Sequence, residues 1–189
     1  AHHLNPETPE TTPEILSLCE EMGNPDRVFA FSSSSKITWA GAGIACIASS
    51  LSNLAWIRKH MTAQSIGPDK MSQLRHARFL KDLDTVQALM RSHAEILRPK
   101  FELVDRYLTQ ELADTGFCRW NKPGGGYFFS LFVLPGTASE VVRLAKTCGV
   151  ELTPAGSTWP YGKDPTDSNI RLAPSFPPLP ELEKALQIL

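Results

Sequence analysis

The stretch Phe31-Ser32-Ser33-Ser34-Ser35-Lys36-Ile37-Thr38-Trp39-Ala40-Gly41-Ala42-Gly43 decides how the rest of this chain is read. It follows the apolar run Val28-Phe29-Ala30, so Lys36 falls just past an expected strand, wrapped in hydroxyls and followed by glycines. Small hydroxyl side chains donate hydrogen bonds to phosphate oxygens without crowding. Glycine lets the backbone come close to a ligand. Lysine is the side chain that forms a Schiff base with an aldehyde cofactor. Taken alone, the same pattern favours a serine-rich surface turn with a solvated lysine, because such turns are common.

Working outward, Thr11 and Glu14 have capping-box spacing and Pro13 suits an early helical position, so a helix is expected from there to Gly23 and Pro25. Val28 to Phe31 reads as a short buried strand and Ile44 to Ala48 as another. Helices are expected over 53–62 and 69–81. A stripe of Leu83, Val86, Met90, Ala94 and Leu97 is resumed by Phe101, Val104, Leu108 and Leu112, with Pro99 as the break or kink between them. That proline sets an expected domain boundary, giving domains 1–97 and 98–189. In the second part, 117–120, 127–133, 150–153 and 169–173 read as strands. A second capping box, Thr137 and Glu140, opens a helix to Gly149, and a last helix runs from Pro180 to Leu189. The pattern is an α+β domain beside the end of a larger α/β domain.

Composition excludes several classes. The 189 residues carry a formal net charge of −1, so no basic or acidic tail points to nucleic acid. No apolar run approaches the ~20 residues of a membrane span. Cys19, Cys46, Cys118 and Cys148 are far apart and form no C-x-x-C pair, and are expected to be reduced and mostly buried in a cytoplasmic protein. His60 and His93 show no metal-ligand spacing.

The segment SSSSKITWAGAGIACIASS resembles the lysine segment of fold-type I pyridoxal phosphate-dependent aminotransferases. The resemblance continues through GNPDRVFAF, IGPDKMSQLRHARFLKD, KPGGGYFFSL, GVELTPAGSTWPYGKDP and NIRLAPSFPPL, and covers essentially the whole chain. It is strongest to the MocR-like group that includes type Ic aspartate aminotransferases. It implies the C-terminal part of that α/β fold: the end of the large cofactor-binding domain (1–97) and the small α+β domain (98–189). The family's acid for the ring nitrogen and its tyrosine for the phenolate oxygen would lie upstream of Ala1, so the chain is expected to be a fragment, inactive when isolated.

The resemblance implies pyridoxal 5'-phosphate as cofactor, Lys36 as the Schiff-base lysine, Ser33 as a phosphate ligand and Ser35 as a further cofactor-loop residue, with Ser32 and Ser34 in plain turn roles. Many relatives carry an arginine after the lysine that pairs with the phosphate; here Gly43 stands in its place. Arg171 lies in the short apolar strand Asn169-Ile170-Arg171-Leu172-Ala173, where an unpaired charge is costly. Its guanidinium fork matches a carboxylate, and by resemblance it grips the substrate α-carboxylate; an internal salt bridge is the alternative.

Gly124, Gly125, Gly126 and Tyr127 either wall the substrate or form a hairpin turn. Pro154-Ala155-Gly156-Ser157 is an ordinary turn or the loop before the carboxylate strand. Lys70 is a surface lysine, or one reaching a neighbouring subunit's distal-carboxylate site. Arg75, His76 and Arg78 read as a solvated or dimer-facing helix face. No metal is expected. The implied activity is transfer of an amino group between an amino acid, aspartate first, and a 2-oxo acid such as 2-oxoglutarate, in a homodimer. The alternatives are the ligand-sensing domain of a MocR-type transcription regulator, or a β-lyase on the same fold.

Overall fold

A computed structural model of the protein describes Leu4 and residues 12–189. The chain divides into two compact units, one ending at Met90 and the other formed by Arg91–Leu189 with Leu4.

The first unit opens with α1 (Ile15–Glu21). Thr11, half of the expected capping box, lies outside the described residues. Glu14 is the N-cap itself: its carboxylate accepts from the Leu16 N–H at 3.2 Å and the Ser17 N–H at 2.6 Å. β1 (Ala30–Ser33) and β2 (Ala45–Ala48) pair antiparallel, with Ser33 opposite Ala45 and Ala30 opposite Ala48. The expected buried strand is therefore a largely exposed one beginning at Ala30: among the described residues it pairs with β2 alone, and Phe31 is 74% exposed. Ser50 caps α2 (Leu51–Gln64) by accepting from the Asn53 N–H, and Asp69 caps α3 (Lys70–Leu80) by accepting from the Ser72 N–H at 3.0 Å. The buried residues among those described in this unit are Ser34, Ser72 and His76, all polar.

α4 (Leu83–Leu112) is 30 residues long, about 45 Å at 1.5 Å per residue. Pro99 does not end it. Proline's fixed φ is helical, and its missing N–H removes one hydrogen bond of the ladder rather than the helix. The passage from one unit to the other falls at Met90/Arg91, inside this helix, where Pro99 had pointed to 97/98.

In the second unit β3 (Arg119–Trp120), β4 (Phe129–Phe132) and β5 (Asn169–Leu172) form an antiparallel sheet in that order. Register places Phe129 opposite Leu172 and Leu131 opposite Ile170, so alternation sends these four to one face. They pack on Leu97, Phe101, Val104 and Leu108 of α4, the stripe expected from sequence, and on Leu182 of α6 (Leu179–Ile188). Phe101 and Phe129 lie 5.0 Å apart, centroid to centroid.

α5 (Ala138–Thr147) corrects the second capping box. The Thr137 hydroxyl donates to the Leu134 carbonyl, and Glu140 forms a two-pronged pair with Arg143 at 2.6 and 2.8 Å. The cap comes from Asp167, whose carboxylate accepts from the Ser139 N–H and hydroxyl. Residues 150–153 form no strand, and among the described strands β5 pairs with β4 alone. All four cysteines are free, but none is buried: Cys46 lies on the exposed β2 ribbon and Cys148 at the exposed end of α5.

Candidate active site

Lys36 sits in a tight turn between β1 and β2. The Ser34 carbonyl accepts from the Ile37 and Thr38 N–H groups, both at 2.9 Å, so the turn closes around the lysine. The Ser34 N–H donates to the Ile44 carbonyl, and the Ile44 N–H donates back to Ser34 Oγ at 3.0 Å. Ser34 is thus stitched to the start of β2 by both backbone and side chain. Ser33, Ser35 and Lys36 are exposed, whereas Ser34 is buried. The serines therefore differ in ways that composition does not reveal: the Ser34 hydroxyl is engaged inside the protein, while Ser33 and Ser35 are exposed residues.

Gly43 presses on the same turn. A Cβ built at Gly43 would lie 2.8 Å from Ser35 Oγ and 3.1 Å from Ser35 Cα and N. Any side chain there would displace the residue preceding Lys36, which gives a steric reason for glycine in the place where many relatives carry arginine.

The residue that sequence reasoning missed is His76. It was expected on a solvated or dimer-facing helix face, yet within this chain it is 2% exposed. Its Nδ1 lies 2.8 Å from the Ser72 carbonyl one turn earlier on α3, so Nδ1 carries a proton. Nε2 then faces the hydroxyls of Ser34 at 2.9 Å and Thr38 at 2.8 Å. Trp39 closes the site edge-on, 5.1 Å from the imidazole centroid. Ser72 Oγ donates to the Ala42 carbonyl at 2.7 Å. The sequence signal was Ser72 and His76 at i, i+4 on α3, one face of a helix, within a chain whose lysine turn is rich in hydroxyls. Arg75 is exposed and lies over the Trp39 ring at 5.9 Å; Arg78 is exposed as well.

In the second unit, Arg171 lies on β5 opposite Ser130, on the sheet face away from the core. Its guanidinium rests 4.5 Å over the Phe128 ring. Among the described residues its Nε is buried and has no hydrogen-bond partner, and no carboxylate forms a salt bridge with it. The internal salt bridge that was the alternative for Arg171 is thus not seen among the described residues. A buried N–H without an acceptor costs roughly 1–3 kcal/mol. Beside it, Asn169 is 5% exposed, donates to Ser130 Oγ at 2.7 Å and accepts from Thr158 Oγ1 at 2.8 Å.

That last bond ties the loop containing Pro154-Ala155-Gly156-Ser157 to the start of β5. Gly156 has φ +81° and its backbone abuts Gly162, so this position takes only glycine. Just before β5, Asp164 accepts from the N–H groups of Ser168, Thr166 and Asn169. The Ser168 bond leads in holding its carboxyl down at about 2, below the usual 3.8.

Gly124 accepts from the Leu4 N–H at 2.9 Å, which gives the glycine run a structural duty. Lys70 is exposed at the first position of α3, and the His60 ring packs against Trp56. Among the described residues no group of His, Cys, Asp or Glu could hold a metal ion, and no helix is long and apolar enough to cross a membrane.

Comparison with known proteins places these features. The family model for aspartate amino-transferase matches residues 1–189. An aspartate aminotransferase of Corynebacterium glutamicum is 49% identical over 185 residues, which is 98% of this chain and 43% of that protein. The solved structure of an aspartate transaminase from the same species superposes with a TM-score of 0.91 over 99% of this chain and 44% of its own. An α-aminoadipate aminotransferase from Thermus thermophilus, solved with N-(5'-phosphopyridoxyl)-L-leucine, shares the fold at a TM-score of 0.78 and 18% identity. The chain spans about two fifths of the length of the curated relatives it matches. On this evidence the chain belongs to the aspartate amino-transferase family, and its structure is that of the C-terminal part of the family's fold.

Proposed function

We propose that this chain is part of a pyridoxal 5'-phosphate-dependent aminotransferase, with Lys36 as the residue that anchors the cofactor. The observation that carries the reading is the division of labour in the 33–36 turn. Lys36, Ser33 and Ser35 are exposed, while Ser34 spends its hydroxyl holding the turn in place. The set fits the cofactor: an amine for its aldehyde, and two neutral hydroxyl donors for its phosphate. With Gly43 closed to a side chain, the phosphate charge is met here by hydroxyls and backbone N–H groups rather than by an arginine at that position.

Pyridoxal phosphate supplies, when bound, an electron sink for charge that develops at a substrate α-carbon. The protein's own residues do the rest. Lys36 Nζ would hold the cofactor's aldehyde, and as a free amine it would carry the proton between the substrate α-carbon and the cofactor. Ser33 and Ser35 fix the phosphate end. Arg171 offers its fork to the substrate α-carboxylate, with Nε in want of an acceptor. The relatives named as aspartate aminotransferases make aspartate with a 2-oxo acid, 2-oxoglutarate, the first substrate pair to try. The assignment of 1–97 to a large cofactor-binding domain and 98–189 to a small one, a homodimeric assembly and a cytoplasmic location belong to the same proposal.

The test is borohydride reduction of the natively purified full-length gene product, followed by peptide mass mapping. A pyridoxyl adduct on Lys36, absent from Lys36→Ala, is the expected result. A reduced holoenzyme that carries the adduct on another lysine, or none, overturns the assignment.

A further inference from the structure

The mechanism leaves one buried, titratable side chain unused, and it lies directly beneath the lysine turn. We propose that His76 is a positioning residue for Lys36: its imidazole ties the Ser34–Thr38 turn to α3 and so fixes where the lysine amine is presented. The inference rests on the reading of Lys36 given above.

Three observations carry it. His76 bonds at both ring nitrogens, to α3 through the Ser72 carbonyl and to the turn through Ser34 and Thr38, so it bridges two elements rather than decorating one. Those two hydroxyl residues stand two positions either side of Lys36, and both sit inside the hydrogen bonds that close the turn. The far end of the same loop is held to the same helix by Ser72 Oγ on the Ala42 carbonyl. α3 therefore grips the segment 34–42 at both ends, with the lysine between.

The alternative account of His76 is packing. The site is too polar for that alone. An aromatic or aliphatic side chain would fill the space beneath Trp39, but it would leave the buried Ser34 hydroxyl without its Nε2 acceptor, while Thr38 would keep only its bonds to Ser34. A positioned amine also matters more than a merely stable one, since small misplacement of a reacting group costs orders of magnitude in rate.

The experiment uses the full-length protein and three variants. His76→Leu removes both ring nitrogens at similar bulk. His76→Gln returns an acceptor near the Nε2 position. Thr38→Val removes one hydroxyl and keeps the imidazole, and stands in if His76→Leu does not fold. Hydrogen exchange at the amides of Ser34, Ile37, Thr38 and Ile44 reads the tether directly, without reference to cofactor. Exchange about tenfold faster in His76→Leu, intermediate in Thr38→Val and close to wild type in His76→Gln is expected. Borohydride-trapped labelling of Lys36 after adding pyridoxal phosphate should slow about tenfold in His76→Leu and recover in His76→Gln, with kcat falling while KM stays within about twofold.

Unchanged exchange and labelling in His76→Leu and Thr38→Val overturn the proposal and leave Lys36 as the anchor. Equal losses in His76→Leu and His76→Gln also overturn it, because packing alone would then account for the effect. If wild type takes no label at Lys36, the functional reading fails, and with it any role for His76 in presenting that amine.

Discussion

Among the described residues Arg171 Nε is a buried donor lacking a partner, and its neighbours on the sheet are already committed to one another. Phe128 supports the guanidinium face without neutralising it. A charged hydrogen bond to a carboxylate contributes roughly 1–3 kcal/mol. Arg171→Ala in the full-length enzyme should therefore lower kcat/KM for amino acids by about ten- to a hundredfold, mostly through KM, and Arg171→Lys should restore little, because an ammonium lacks the planar fork. Steady-state kinetics with aspartate and 2-oxoglutarate decide it; unchanged constants would return Arg171 to a structural role.

The turn before β5 is where pH acts on an element. Asp164 titrates at about 2 in the folded protein, against 3.8 for the ordinary group, because backbone N–H groups led by Ser168 bond to its ionised form. A depressed carboxyl stabilises the fold fully above its unfolded pKa and loses that contribution as pH falls from about 4 towards 2. The melting temperature should fall over that window, and Asp164→Asn should melt lower at neutral pH with a shallower fall. Glu14, Asp26, Asp82 and Glu140 are also held down by hydrogen bonds, so some acid sensitivity remains in that variant.

β4 packs its alternate residues into the core. Phe129 is 2% exposed and stacks on Phe101 of α4, so Phe129→Ala should cost about 3–5 kcal/mol in chemical denaturation. These elements were legible in advance for a physical reason: Ala94, Leu97, Phe101, Val104 and Leu108 recur at helical spacing, and 129–132 and 169–172 alternate. The caps were not. Thr137 and Glu140 have the right spacing, but Asp167, far away in sequence, reaches the helix start first, and spacing cannot report a competitor that tertiary structure supplies.

At the scale of the whole molecule the two units differ in what they bury. The apolar core lies entirely in the second unit with Leu4, while the described residues up to Met90 bury only Ser34, Ser72 and His76. Large apolar side chains such as Met22, Phe31, Leu51, Trp56 and Ile66 stand exposed there. Without buried apolar area a unit opens locally at little cost. In limited proteolysis of this 189-residue chain, cuts should appear before Met90 well ahead of any in Arg91–Leu189; simultaneous loss of both would contradict the division. The lysine and arginine were singled out in sequence through the segments around them, since each pattern taken alone favours a surface turn or an internal salt bridge. His76 could not, since a helix face reads as solvated until the loop that covers it is known.

The contact between Gly43 and Ser35 also constrains how this protein can change over generations. An arginine at position 43 would have to enter against Ser35 Oγ and, behind it, against the Ser35 backbone. Trimming residue 35 relieves the first clash but not the second, so the turn itself must first shift by a few tenths of an ångström. The two positions are therefore sterically coupled: a side chain at 43 is accommodated only together with a change at or around residue 35. A Gly43→Arg change made alone would dislodge the residue next to Lys36.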